Sequence, residues 1–139
     1  MLIRNPDAIR PWQHVLEPLA GYIMLAQHLW TNGPLTAGAW NFGPDDSDAK
    51  PVSWIVETMV KQWPGSEWSS DDGEHPHEAH YLKLDSSKAR SQLDWHPVWS
   101  LGDALSRITH WHQAWLASEN MHDYTQYEIS AYQDLANAQ

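Results

Sequence analysis

The sequence predicts an α+β fold, mainly helical, with a few short strands. Three observations carry this expectation. Apolar residues recur at helical spacing in three long stretches, near residues 16–30, 52–63 and 101–115. Between them lie brief β-prone runs bounded by Pro, Gly, Asn and Asp. The length of 139 residues, 42 % of them hydrophobic, corresponds to about one globular domain.

Leu2-Ile3-Arg4 is a short apolar start, and Asn5-Pro6-Asp7 is turn chemistry. Ile9 to Val15 reads as extended, with Pro11 suiting an edge or a bulge. Leu16, Leu19, Ala20, Ile23 and Trp30 mark the face of a helix that Gly33-Pro34 stops. Ala39 to Gly43 predicts a short strand running into a polar loop, 44–50. Pro51 opens the next helix, on which Val52, Ile55, Val56, Met59, Val60 and Trp63 form one amphipathic face. Pro64-Gly65 ends it, Trp68 starts a short strand, and Ser69 to Pro76 reads as a loop. His80 to Leu84 predicts a strand, and Asp85-Ser86-Ser87 offers a cap for a short helix from Lys88 to Leu93. Ser100 with Asp103 resembles a capping box for a long helix through Leu101, Ala104, Leu105, Ile108 and Trp115. Thr125 and Glu128 form a similar start for the last helix, striped by Ile129, Tyr132 and Leu135. No repeat or linker divides the chain, so residues 1–139 read as a single domain. Its three or four short strands make a thin sheet, which suggests that part of the pairing partner is missing.

The charge balance narrows the partners. Eight Lys and Arg against eighteen Asp and Glu leave a net charge of −10. Such a surface repels phosphate backbones, so no nucleic acid is expected. No basic amphipathic stretch invites a membrane surface. Without cysteine, disulfides, thiolate zinc sites and cysteine nucleophiles are excluded. No apolar run approaches the length of a membrane span, and no secretory apolar region opens the chain. The expectation is a cytoplasmic protein. Arg4 and Arg10 stand against Asp7 alone in the first ten residues, so an anionic ligand has its candidate basic site there.

His75, His77 and His80, with Glu78 among them, have spacings that could supply metal ligands. They flank a proline in a loop and lack the helical i, i+4 pairing, so no metal is expected. His110 and His112 sit two apart on a helix and face different ways. The seven glycines contain no G-x-G-x-x-G run, and neither a phosphate-binding loop nor G-x-S-x-G occurs. No tyrosine has a lysine four residues on, so the Tyr-x-x-x-Lys pair of some dehydrogenases is missing. The sequence therefore offers no catalytic residue and no cofactor site of its own. Trp54, Trp63, Trp111 and Trp115 belong to helix cores, while Trp12 and Trp40, near strand ends, either pack the core or cover a ligand. Arg10 is the sharpest candidate. In an extended stretch its guanidinium could grip a pyrophosphate with two hydrogen bonds, the bland alternative being a surface ion pair.

Three segments carry a family resemblance. They are R-N-P-D-A-I-R-P-W-Q-H-V-L-E-P-L-A-G-Y over 4–22, W-N-F-G-P-D over 40–45, and H-P-H-E-A-H-Y-L-K-L-D over 75–85. With D-S-S-K-A and L-D-W-H-P following, the chain resembles the bacterial CDP-glucose 4,6-dehydratases, nucleotide-sugar enzymes of the extended short-chain dehydrogenase/reductase superfamily. Asp94 stands where the family pattern has Gly, which puts the turn after the short helix in question. The resemblance covers essentially the whole chain. It implies the C-terminal, substrate-binding part of a Rossmann-type enzyme, begun partway into that domain. The parent reaction oxidises C4 of the sugar with NAD, eliminates water across C5–C6 and returns hydride to C6. The Rossmann domain, its NAD and the catalytic residues would lie outside this sequence. The resemblance implies that Arg10 contacts the pyrophosphate and that Asn41 and Gly43 lie near the nucleotide. It implies that His77, Glu78 and His80 close over the phosphates or ribose; Trp12, by its place near a strand end, is the aromatic that could also cover the ligand. The expected ligand is a CDP-sugar, bound by a domain that is inactive alone. The competing expectations are an interaction domain and a remnant without activity. The interaction domain would pair through a free Trp40-Asn41-Phe42 edge, as a homo-oligomer or with a Rossmann-bearing subunit.

Overall fold

The computed structural model describes residues 1–71, 73 and 79–138. In chain order the elements are β1 (Leu2–Ile3), β2 (Ile9–Pro11), α1 (Leu16–Asn32), β3 (Ala49–Pro51), α2 (Val52–Gln62), β4 (Ser69–Ser70), α3 (Ser87–Leu93), α4 (Leu101–Leu116) and α5 (Met121–Ala136). Short 3₁₀ turns occupy Gly33–Thr36 and Asp46–Asp48. The mainly helical α+β expectation therefore holds.

The strands form two separate pairs instead of one thin sheet. β1 runs parallel to β4, with Leu2 opposite Ser69 and Ile3 opposite Ser70. β2 runs antiparallel to β3, with Arg10 opposite Lys50. The far edge of β2 takes a single parallel bridge from Ile9 to Tyr81. That bridge is all the described backbone shows of the strand expected over His80–Leu84.

Residues 39–43 are not a strand. Side chains meet their backbone where a ladder would have done so. Gln13 donates to the Phe42 carbonyl (2.8 Å), and the Gly43 N–H donates to Ser86 Oγ (2.7 Å). Phe42 is buried, so the segment offers no free apolar edge for another chain. The expected strand at Trp40-Asn41-Phe42, on which a pairing edge would rest, is thereby corrected.

The helix boundaries follow local chemistry. Gly33 ends α1 at φ 58°, in the region that favours glycine. Ser100 caps α4 as its sequence predicts, accepting from the Asp103 N–H (3.2 Å) and donating to that carboxylate (2.6 Å). Asp48 takes up the Leu101 N–H. The last helix starts earlier than Thr125 implies. Asn120 caps it, accepting from the His122 and Asp123 N–H groups. Thr125 instead accepts from the Trp111 indole (3.1 Å), and Glu128 pairs with Arg107 (2.8 Å).

Two apolar clusters hold the elements. Phe42, Ala89, Leu93 and Trp95 form one, with Met24, Leu25 and Trp40 against it. A Cβ at Gly21 would run into the Phe42 ring, so glycine lets α1 approach this cluster. Ile55, Leu101 and Leu105 form the other, joined by Trp12 and Met59. Each of the buried Phe, Ile and Leu side chains among them contributes roughly 1.5–3 kcal/mol.

A polar hub ties the rest. Glu17, in the first turn of α1, has no exposed surface. Its two oxygens accept from the Val98 N–H (3.0 Å), the Trp99 N–H (2.9 Å) and the Tyr132 hydroxyl (2.7 Å). Burial and the Glu17 carboxylate push the Tyr132 phenol well above its ordinary range. Trp99 stands edge-on to both His14 and Tyr132, and the Arg107 guanidinium lies over its ring at 4.0 Å.

Candidate functional site

The candidate residues collect around β2. Arg10 is half-buried in mid-strand, and its guanidinium donates to the Ile9 carbonyl (2.9 Å). One flank of β2 is β3. On the other, the Ile9 N–H donates to the His80 carbonyl (2.8 Å), so the His80 backbone lies next to Arg10 in the chain of hydrogen bonds. The His80 residue itself is exposed. Trp12 directs its indole N–H to the Lys50 carbonyl (2.9 Å) and its ring onto the Ile55 cluster. Both interactions fix β2 against β3 and α4. Gln13 then reaches the Phe42 carbonyl, between Asn41 and Gly43.

Asn41 and Gly43 are clamped from a second side. Asn41 donates to the Asp85 carbonyl (3.2 Å), and Ser86 Oγ holds the Gly43 N–H. A Cβ at Gly43 would stand 2.7 Å from Leu84 Cβ, so only glycine permits this approach. Trp40 turns its indole to the Thr36 carbonyl and its face to the Lys88 ammonium, 3.9 Å away. The backbone of 80–86 thus joins Arg10 on one side to Asn41 and Gly43 on the other. His77 and Glu78 lie outside the described residues.

A polar cleft of about 560 Å³ opens beside Gly43, lined among others by Asp45, Asp46, Lys83, Ser86, Ser87 and Arg90. Lys83 pairs with Asp46 (2.9 Å) and Arg90 with Asp45 (2.7 Å). Hydrogen bonds to Tyr81 and Asp46 hold the Lys83 ammonium above its ordinary range. Hydrogen bonds from Ser87 hold the Asp85 carboxyl below its own. Both cations thus face the cleft with a largely exposed aspartate as partner.

Sequence reading missed Lys83, Arg90, Asp45 and Asp46. A signal existed: three of only eight basic residues, Lys83, Lys88 and Arg90, fall within one short stretch of a strongly acidic chain. Among the described residues, no three His, Asp or Glu converge as a metal site, and no helix is long and apolar enough to cross a membrane.

No protein-family model matches the chain. Over 133 residues, 95 % of its length, it is 56 % identical to the CDP-glucose 4,6-dehydratase of Salmonella typhimurium. The chain is similar to a C-terminal portion of that dehydratase. It spans 37 % of the length of its relative. The likeness read from the three motif segments is thus a likeness of nearly the whole chain to part of a dehydratase.

Proposed function

We propose that this chain is the nucleotide-sugar-binding part of a CDP-glucose 4,6-dehydratase and that CDP-glucose lies between Arg10 and the Asn41–Gly43 segment. The observation that carries this reading is the 56 % identity over 95 % of the chain. Arg10 grips the diphosphate, since a guanidinium fork matches phosphate oxygens and its hydrogen bonds to charged groups are strong. Gly43 lets the ligand meet backbone, and Asn41 offers a side-chain amide for the nucleotide. Trp12 holds the strand that presents Arg10. His77, Glu78 and His80 supply the cover over the phosphates or ribose.

The oxidation at C4, loss of water across C5–C6 and reduction at C6 belong to NAD and to residues beyond this stretch. The 139 residues contain neither the glycine fingerprint nor the Tyr-x-x-x-Lys pair that such hydride chemistry uses. The chain alone is therefore a binding unit without turnover.

Titration calorimetry with CDP and CDP-glucose tests the reading. The chain should bind CDP-glucose, and Arg10→Ala should weaken binding about tenfold or more, the loss of one charge-assisted contact of roughly 1.5–3 kcal/mol. Absence of heat at millimolar CDP-glucose sinks the binding site. NAD-dependent dehydration by the chain alone sinks the division of labour.

A further inference from the structure

Arg10 of β2 lies directly opposite Lys50 of β3. Residues so placed in an antiparallel ladder project from the same face, with Cβ atoms about 4.5–5.5 Å apart. Two cations therefore share one face of a two-stranded ladder, in a chain with only eight Lys and Arg. Like charges directly opposite each other weaken a ladder.

The backbone holds them there. The neighbouring pairs, Ile9 with Pro51 and Pro11 with Ala49, each lack one N–H. Of the three pairs, Arg10 with Lys50 alone has both N–H groups to exchange. The Val52 N–H donates to the Ala8 carbonyl (3.0 Å) and the Ser53 N–H to the Pro6 carbonyl (2.8 Å), which pins the register further. The Trp12 indole holds the Lys50 carbonyl itself (2.9 Å). A slip of one residue, which would turn Lys50 to the other face, breaks all of these contacts.

The Lys50 ammonium lacks the partner that other cations of the chain have. Lys83, Arg90 and Arg107 each meet a carboxylate, at 2.9, 2.7 and 2.8 Å. Half-buried Lys50 meets none among the described residues, in a chain with eighteen acids. It stands 5.8 Å from the centre of the Trp54 ring, close to the ~6 Å limit of a cation–π contact. Asp48, two residues back, gives its carboxylate to the Leu101 N–H (3.2 Å). Burial lifts that carboxyl above its ordinary range, and the Leu101 hydrogen bond and Lys50 pull against this without reversing it. A direct ion pair would hold it down instead.

Two fixed cations side by side match a group with two adjacent negative charges. A carboxylate has one. A diphosphate has charge on each of two phosphates joined through a single oxygen. The Arg10 fork suits one phosphate, and the Lys50 ammonium, a point charge, suits the other. An anion between the two cations turns their repulsion into a shared attraction.

We propose that Lys50 is a second diphosphate-binding residue, so that Arg10 and Lys50, opposite each other on β2 and β3, take one phosphate each. For the nucleotide this rests on the CDP-glucose reading; for the diphosphate group it does not.

Titration calorimetry of the 139-residue chain with inorganic pyrophosphate, CDP and CDP-glucose tests it. Lys50→Met keeps an unbranched stem and should weaken pyrophosphate and CDP by about tenfold or more. Lys50→Arg restores the charge and should restore most of the affinity. Lys61→Met, the same loss of charge at the exposed end of α2, should leave affinity unchanged. Without ligand, Lys50→Met should unfold at an equal or higher urea concentration, because a like-charge contact is gone. If Arg10→Ala weakens CDP binding and Lys50→Met does not, the inference is overturned and the CDP-glucose reading stands. Lys50-dependent binding of pyrophosphate with no binding of CDP-glucose sinks that reading and upholds the inference. A lower urea midpoint in Lys50→Met with pyrophosphate affinity unchanged also overturns the inference, since Lys50 is then a structural residue.

Discussion

Asp94 ends α3 at φ 55° and ψ 30°, in the left-handed region. An L side chain is strained there by roughly 1–2 kcal/mol, and Asp is among the few types that adopt it at reduced cost. The dehydratase pattern that the sequence resembles has Gly at this position, and the turn keeps the geometry that glycine would take. Asp94→Gly should therefore raise stability, by about 0.5–1 kcal/mol once the greater freedom of glycine in the unfolded chain is subtracted. Its neighbour His96 lies 3.6 Å from the carboxylate in an exposed pair, which offsets little. A shift of the urea midpoint to higher denaturant is the expected reading. Glu17 gives the opposite result. Its carboxylate accepts three hydrogen bonds with no exposure to water. Glu17→Gln would aim an amide N–H₂ at a group that is itself a donor, at a cost of about 3 kcal/mol or more. Tyr132→Phe removes only one of the three bonds and should cost about 1 kcal/mol. Thermal melts of the two variants should rank in that order.

At the scale of elements, the helices were legible wherever burial follows periodicity. Ile55 and Val56 of α2 and Leu101, Ala104 and Leu105 of α4 are buried where their spacing places them. Ser100 and Asp103 form the expected cap because both lie in one turn and need no distant partner. Thr125 and Glu128 share that spacing but are claimed by Trp111 and Arg107 on the neighbouring helix. A sequence window does not show such partners. The cap falls to Asn120, and Asn120→Ala should cost about 1 kcal/mol and fray the first turn of α5. Amide exchange at His122 and Asp123 should rise in that variant, whereas Thr125→Val should leave those amides protected. The segment 39–43 fails as a strand for a similar reason. Its backbone is met by Gln13, which lies far away in the chain, and by Ser86. The candidate site shared this limit. Arg10, Asn41 and Gly43 stood out by residue type and motif. Lys83 and Arg90 did not, because they acquire their place only when residues 83–90 fold over Asp45 and Asp46.

Across the whole molecule, His14 couples the start of α1 to α4 and α5. Its Nδ1 accepts from the Leu16 N–H (3.2 Å), which requires the neutral ring with its proton on Nε2. The ring stands against Trp99 and beside the Arg107–Glu128 pair. Burial lowers its pKa below the ordinary 6.5; Glu128 acts upward and Arg107 downward, and the net direction is down. The unfolded chain, free of that burial, binds this proton more readily than the folded one. Stability from His14 is therefore complete above pH 6.5 and is lost as pH falls through the lowered folded value. Protonation also removes the acceptor for the Leu16 N–H, so the loss falls on the first turn of α1. Glu17 sits in that same turn, where it holds the 98–99 segment and α5. A local proton thus acts on the contacts that join three helices. Urea unfolding at pH 7.5 and pH 5.5 should show a lower midpoint in acid. His14→Asn retains a side-chain acceptor without a titrating ring and should narrow that difference, even where it costs packing against Trp99 at both pH values. An unchanged difference in His14→Asn would assign the acid sensitivity to other groups.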